Sequence, residues 1–274
     1  MLKKAKEIPS IEVLGNRVHM VQIPEVVELM SYWIEQEREK FHWIIVTGMH
    51  GIIEAYRKKD FKKILNSANL FVPDGISLVW IARFRGFHLK KRVSGADLML
   101  EFFKVANQKG YKNFFYGDSE ETLHLLVKKL SAKFSKLKIS GFYSPPFRDL
   151  TEEEDKEIIK KINSAKPDIL WIALGLPKQE RWIFEHKEKL KVPIVVGVGA
   201  AFKFLSGKVK RAPAWIGDLG FEWLWRFFQE PCKLWRRVCL DIPMFVGLVS
   251  VEMIRRKLQK KLKMGVGLSR AKNK

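Results

Sequence analysis

Residues 168–202 read DILWIALGLPKQERWIFEHKEKLKVPIVVGVGAAF. Two apolar runs, 168–174 and 193–198, bracket a mixed polar and apolar stretch over 178–190. A strand that is apolar at every position has no solvent face, so it belongs inside a sheet covered on both sides. The stretch between the runs is long enough to hold a helical crossover, and the amphipathic spacing predicts one. The same alternation extends outward. Upstream lie a strand at 112–116 (KNFFY), a helix at 120–134, a strand at 137–142 and a helix at 151–164. Further back, 41–46 (FHWIIV) is a strand and a helix runs to about Lys63. A short strand at 69–72 (NLFV) ends in Pro73-Asp74-Gly75, and helices follow at 76–84 and 97–108. Residues 11–21 form two short strands around Gly15-Asn16, and a helix over 24–38 starts after Pro24. The fold class is therefore α/β, a mostly parallel sheet covered by helices on both faces.

The chain has 274 residues, with 51 Lys and Arg against 30 Asp and Glu, a net charge of +21. An apolar content of 47% excludes a disordered chain. Two cysteines, Cys232 and Cys239, are too few for a disulfide framework or a four-ligand zinc site, and the usage fits a reducing compartment. They read as packing residues rather than a redox pair. The N-terminal lysines are followed by no apolar run, so no signal peptide is expected. No stretch of about 20 apolar residues predicts a membrane-spanning helix. The charge is uneven: residues 203–274 carry 17 Lys and Arg against 5 Asp and Glu, and four of the nine tryptophans. That shift sets a boundary, read as a core over 1–206 and an appendage over 207–274. A basic surface draws polyanions: nucleic acid, an anionic bilayer or phosphorylated substrates.

In a parallel sheet of this kind, ligands sit at the carboxyl ends of the strands. Five loops qualify: Thr47–His50, Pro73–Gly75, Gly117–Ser119, Gly175–Gln179 and Gly197–Lys203. Asp74 leaves a strand and precedes an apolar helix, which suits either a helix cap or a general base. Asp118 and Ser119 likewise suit a cap. In Gly175-Leu-Pro-Lys-Gln-Glu-Arg181, a helix end with Lys178, Gln179 and Arg181 beside it suits an anion. Gly197-Val-Gly199-Ala-Ala-Phe202 departs from the dinucleotide fingerprint at its third glycine and closes the last strand rather than the first. A nicotinamide site is therefore not expected. The six histidines show no metal-ligand spacing, so no metal is assigned. His50 stands apart because it lies in a strand-exit loop.

Residues 221–264 interleave Arg226, Lys233, Arg236 and Arg237 with Trp, Phe and Leu. As one continuous helix, Arg226, Lys233 and Arg237 fall on one face, with Arg236 beside it. The ten-residue apolar run Ile242–Val251, followed by Arg255, Arg256, Lys257, Lys260, Lys261 and Lys263, suits a helix lying in a membrane interface. The alternative is an amphipathic helix packed on the core.

These pieces together resemble the WecG/TagA/CpsF family of bacterial glycosyltransferases. The matching segments are Phe71-Val-Pro-Asp-Gly75, Arg92-Val-Ser-Gly-Ala-Asp97, Leu174-Gly-Leu-Pro-Lys-Gln-Glu180, Gly197-Val-Gly-Ala-Ala-Phe202, Arg211-Ala-Pro213 and Glu222-Trp-Leu-Trp-Arg-Phe-Phe-Gln-Glu-Pro231. They occur in the family's order across about residues 11–240. The resemblance implies a Rossmann-like core and an inverting, metal-independent transferase. Such enzymes move a sugar, most commonly N-acetylmannosamine, from a UDP-sugar to a polyprenyl-diphosphate-linked sugar. The setting is the cytoplasmic membrane face, and the product feeds teichoic acid or related polymers. The family base falls on Asp74, its polar active-site residues on Thr47 and Gln179, and its appendage cations on Arg226, Lys233 and Arg236. Substrate contacts fall on Arg92, Gly95, Asp97, Gly117, Asp118, Gly175, Lys178, Gly197, Gly199, Lys203 and Arg211. The partners implied are the UDP-sugar, the lipid-linked acceptor and an anionic membrane surface. No cofactor and no nucleic acid are implied, and a homo-oligomer is left open. The chain departs from the family pattern at Met49 (commonly Asn), Gly51 (often Glu), Lys203 (frequently Asp) and Lys233 (usually Arg). Met49 and Gly51 sit in a nucleotide-sugar loop, so another UDP-hexose or a uronic acid donor is the runner-up. A nucleic-acid-binding protein without enzymatic activity is the rival from outside the family.

Overall fold

The computed structural model describes residues 8–213, 216 and 222–271, without the side chains of Arg226, Lys233 and residues 260–271. Its centre is a six-stranded sheet. The strands are β3 (His42–Thr47), β4 (Leu70–Pro73), β5 (Lys112–Gly117), β6 (Lys138–Tyr143), β7 (Ile169–Ala173) and β8 (Ile194–Gly197). The order across the sheet is β4-β3-β8-β7-β5-β6, and every pairing is parallel. The apolar runs work as the alternation requires. Trp43, Ile45, Leu170, Ile172 and Val195 enter one core cluster; Ile44, Val46, Ile169, Trp171 and Val196 enter the other. Side chains that alternate across a strand thus feed two cores from one sheet.

The crossover helices are α2 (Met49–Arg57), α3 (Lys59–Asn66), α4 (Ile76–Phe84), α5 (Gly95–Lys109), α6 (Glu120–Lys133), α7 (Glu152–Ala165), α8 (Lys178–His186) and α9 (Ala201–Ser206), preceded by α1 (Ile23–Gln36). The single helix expected up to Lys63 is two, because Lys58 takes an extended conformation between them. β1 (Ser10–Val13) and β2 (Asn16–His19) form the expected antiparallel hairpin, turning at Leu14 and Gly15, both with positive φ. Buried His19 ties the hairpin to the edge strand β4: its Nδ1 accepts the Phe71 N–H at 3.0 Å. Burial lowers its pKa to about 4, so the ring stays neutral and able to accept.

Beyond the sheet, helices Glu222–Gln229 and Pro231–Arg236 lead through a π-helical turn, Arg237–Asp241, into a long helix, Ile242–Ala271. We call these described elements the arm. Phe245 and Val249 are buried in the same cluster as Ile52, Leu78 and Ile81. Val246, Val251, Ile254 and Leu258 on the same helix are exposed. The apolar run therefore divides: one side packs on the core, as the amphipathic alternative requires, and the other faces outward. The packing role read for Cys232 and Cys239 is corrected. Both are exposed, because Leu234 is the residue of that stretch that turns inward. No helix of the described residues is long and apolar enough to cross a membrane.

Candidate active site

The strand-exit loops and the arm enclose one cleft of about 1650 Å³. Thr47, Asp74, Arg92, Gly95, Asp118, Gly175, Lys178, Gln179, Gly199, Lys203 and Arg211 all line it. Asp97, Gly117 and Gly197 stand behind that lining. Arg226 and Lys233 have side chains outside those described. Arg236 lines a separate, smaller pocket. Three lining residues escaped the sequence-based site assignment: Trp80 and Glu222, and Arg237, which had been read only as part of a basic face.

Asp74 does not cap α4; that position is Gly75, with φ of 140°. The Asp74 backbone is held by its N–H donating to Thr47 O at 3.1 Å. Gly48 lets the two loops touch, since a Cβ there would lie 2.0 Å from Asp74 O. The carboxylate is thereby set at a fixed point of the cleft, with Oδ1 3.5 Å from Arg92 Nη1. Arg92 also pairs with Glu222 of the arm. One guanidinium therefore joins the core acid to the appendage.

Thr47 is buried at the end of β3. A Cβ on Gly51 would meet its Oγ1 at 2.6 Å and its Cγ2 at 2.7 Å. The departure at Gly51 is thus accommodated by the Thr47 side chain, which fills the space a larger residue would need. Met49 packs against the core cluster.

Gln179 is 2% exposed and joins two loops. Its Oε1 accepts the Gly199 N–H at 3.1 Å and its Nε2 donates to Glu180 Oε1 at 2.8 Å. Gly197 must lack a side chain here, because its Cβ would approach Gln179 Nε2 to 2.8 Å. Glu180 is 1% exposed and its Oε2 has no hydrogen-bond partner. Burial pushes its pKa up from 4.5 to about 7, against the Gln179 hydrogen bond. The folded state therefore holds a proton that the unfolded chain releases, and stability falls as pH rises from about 4.5 to about 7. That gap corresponds to about 3 kcal/mol. Glu180→Gln is expected to remove this slope and to raise the melting temperature more at pH 8 than at pH 5. Parallel pH dependence of melting in both proteins would refute it.

Arg211 clamps Asp97 through Nη1–Oδ1 at 2.5 Å and Nη2–Oδ2 at 2.6 Å, and it also reaches Ser94 Oγ at 3.2 Å. Burial raises the Asp97 pKa, but the Arg211 and Ser94 hydrogen bonds and the charges of Arg211 and Arg92 outweigh it, and the net shift is downward. Asp97 thus orients Arg211, which lines the cleft near enough to Asp74 to feel its charge. Gly95 allows α5 to start against Val198, whose O would lie 3.0 Å from a Cβ. Ser119, not Asp118, caps α6, accepting the Thr122 N–H. Asp118 lines the cleft with φ of 59°. Gly117 must be Gly, because its Cβ would lie 2.7 Å from the Ala173 carbonyl. Arg181, read as an anion donor, instead pairs with Asp60 at 2.7 Å. His50 lines the cleft and binds Asp241 of the arm, Nδ1 to Oδ2, at 2.7 Å.

A parallel sheet with an acid at a strand exit, and cations from core and arm around one cleft, has the build of an enzyme for anionic substrates. The glycosyl transferase WecG/TagA/CpsF family model matches residues 11–259, and the chain belongs to this family. It is 33% identical over 198 residues to the N-acetylglucosaminyldiphosphoundecaprenol N-acetyl-beta-D-mannosaminyltransferase of Bacillus subtilis strain 168, covering 72% of this chain and 75% of that one. The enzyme of the same name from Bacillus spizizenii is 31% identical over 225 residues, covering 82% and 84%. That from Staphylococcus aureus strain MW2 is 25% identical over 252 residues, covering 91% and 95%. The chain is a glycosyltransferase, and the nucleic-acid reading of its basic charge is set aside.

Proposed function

We propose that the protein is an inverting, metal-independent transferase at the cytoplasmic face of the membrane. It moves N-acetylmannosamine from a UDP-sugar to a polyprenyl-diphosphate-linked N-acetylglucosamine. The observation that carries this reading is Asp74, fixed at a strand exit inside a cleft lined by Arg92, Lys178, Lys203 and Arg211 of the sheet side and by Arg237 of the arm. The names of the relatives support the donor sugar and the acceptor.

In the proposed step, an acceptor hydroxyl oxygen attacks the anomeric carbon on the face opposite UDP. Its proton passes to the Asp74 carboxylate. The bond from the anomeric carbon to the β-phosphate oxygen breaks, and its electron pair leaves with UDP. The sugar is oxocarbenium-like at that moment, and the growing phosphate charge is met by guanidinium and ammonium groups. The 207–274 appendage completes the site over the 1–206 core, with Glu222 joined to Arg92. The outward apolar residues of the arm, with exposed Arg255 and Lys257 beside them, suit an anionic bilayer.

The test is transfer from UDP-N-acetylmannosamine to a polyprenyl-diphospho-N-acetylglucosamine by the full chain, with and without EDTA. A β-linked product and unchanged turnover in chelator are expected. Loss of turnover restored by magnesium would refute metal independence. Product from a different UDP-sugar alone would move the reading to the runner-up donor.

A further inference from the structure

Outside the cleft, the arm and α2 enclose a second pocket of about 500 Å³, lined by His50, Arg57, Trp235, Arg236, Arg237, Leu240 and Asp241. Its only carboxylate is Asp241, which is buried on the π-helical turn. That carboxylate is already engaged. Arg57 Nη1 reaches Oδ1 at 2.7 Å, and His50 Nδ1 reaches Oδ2 at 2.7 Å. Arg57 and Asp241 therefore offset each other, and the remaining cations set the sign of the pocket. Among the described residues Arg236 has no carboxylate partner; its guanidinium lies 5.4 Å from the Trp235 ring centre. The positive field is felt locally. The pKa of His50 is lowered by burial first and by the Arg237 charge second, against the pull of Asp241 and Glu54.

We propose that this side pocket binds a phosphate group, supplied by the headgroup of an anionic lipid. Guanidinium groups match phosphate oxygens in charge and in fork geometry, and basic pockets between helices at a membrane surface take lipid headgroups. Two neighbours point to a lipid rather than a soluble phosphate: Trp235 is 46% exposed and Leu240 is 50% exposed at the rim. An amphipathic ring and an apolar side chain beside a cation suit the headgroup level of a bilayer. Arg57 comes from the core and Arg236 from the arm. A phosphate held between them would fasten one to the other when the protein is on the membrane. This places Arg236 on the bilayer rather than on the transferring diphosphate. It rests on the membrane-docked reading of the arm but not on the identity of the sugar.

The experiment compares Arg236→Gln with Arg255→Gln in the full-length protein. Arg255 is an exposed cation of the long helix outside the pocket, so each variant removes one positive charge. Binding is measured to phosphatidylglycerol–phosphatidylcholine vesicles by co-sedimentation. Loss of a charge that only faces the surface weakens binding about fivefold. Arg255→Gln is expected at that level and Arg236→Gln at an order of magnitude or more. Equal losses, or no loss for Arg236→Gln, would overturn the pocket. A second arm adds inorganic phosphate without lipid. A melting temperature raised by phosphate in the wild type but not in Arg236→Gln supports the phosphate site with a soluble source. No rise, together with the larger vesicle defect, assigns the source to the lipid. Neither readout involves sugar transfer, so a failed transfer assay would sink the proposed function and leave this result standing.

Discussion

Asp74→Asn is expected to lower kcat for sugar transfer by roughly 10²–10⁴-fold, the range a positioned general base contributes. The change keeps size and shape and removes only the basic oxygen. Arg92 retains its second partner, Glu222, so its guanidinium is not left unpaired. Gly48 still packs against the unaltered backbone carbonyl of residue 74. The variant should therefore fold normally, and UDP-sugar should still raise its melting temperature. Asp74→Glu separates charge from position. It keeps the carboxylate but moves it by one methylene, in a loop tied down by the Thr47 carbonyl, and it too should be slow. Near-normal turnover in the Asn variant would remove Asp74 from the reaction, and the proton would need another acceptor in the cleft.

The sheet was legible because its strands are apolar throughout, a pattern that only burial on both faces allows. Each strand exit then marked a loop, and four of the five loops contribute residues that line the cleft directly in the way read for them. The Gly117–Ser119 loop does so through Asp118 alone. What the sequence could not show was pairing over long distances. Arg211 and Asp97 lie 114 residues apart, and His50 and Asp241 lie 191 apart; neither spacing carries a local signal. The arm shows how two lines of reading can part. Helical periodicity put Arg237 on a face with Arg226 and Lys233, while the family resemblance put the role on Arg236. Arg237 lines the cleft and Arg236 lines the side pocket. Adjacent residues on a helix point about 100° apart, and the π-helical turn beginning at Arg237 interrupts the regular period.

The second large effect concerns where the arm may be cut. Ending the chain after Pro213 removes Arg237, Glu222 and every arm side chain that lines the cleft, but keeps the Arg211–Asp97 clamp. The two core clusters are built on the sheet itself, and Phe245 and Val249 only cover one of them. A folded 1–213 chain is expected, with transfer reduced by more than about 10²-fold, as loss of a group that stabilises developing negative charge typically costs. Vesicle binding should fall as well, since the exposed apolar residues and Arg255 and Lys257 go with the arm. Ending the chain after residue 206 instead takes Arg211 too. Asp97, held low by that partner, would then carry its charge half-buried against Ser94 alone, so 1–206 should melt below 1–213. Full activity from the 1–213 chain would take the arm out of the chemistry. Equal melting of the two truncated chains would mean that Arg211 serves the cleft and does not support the start of α5.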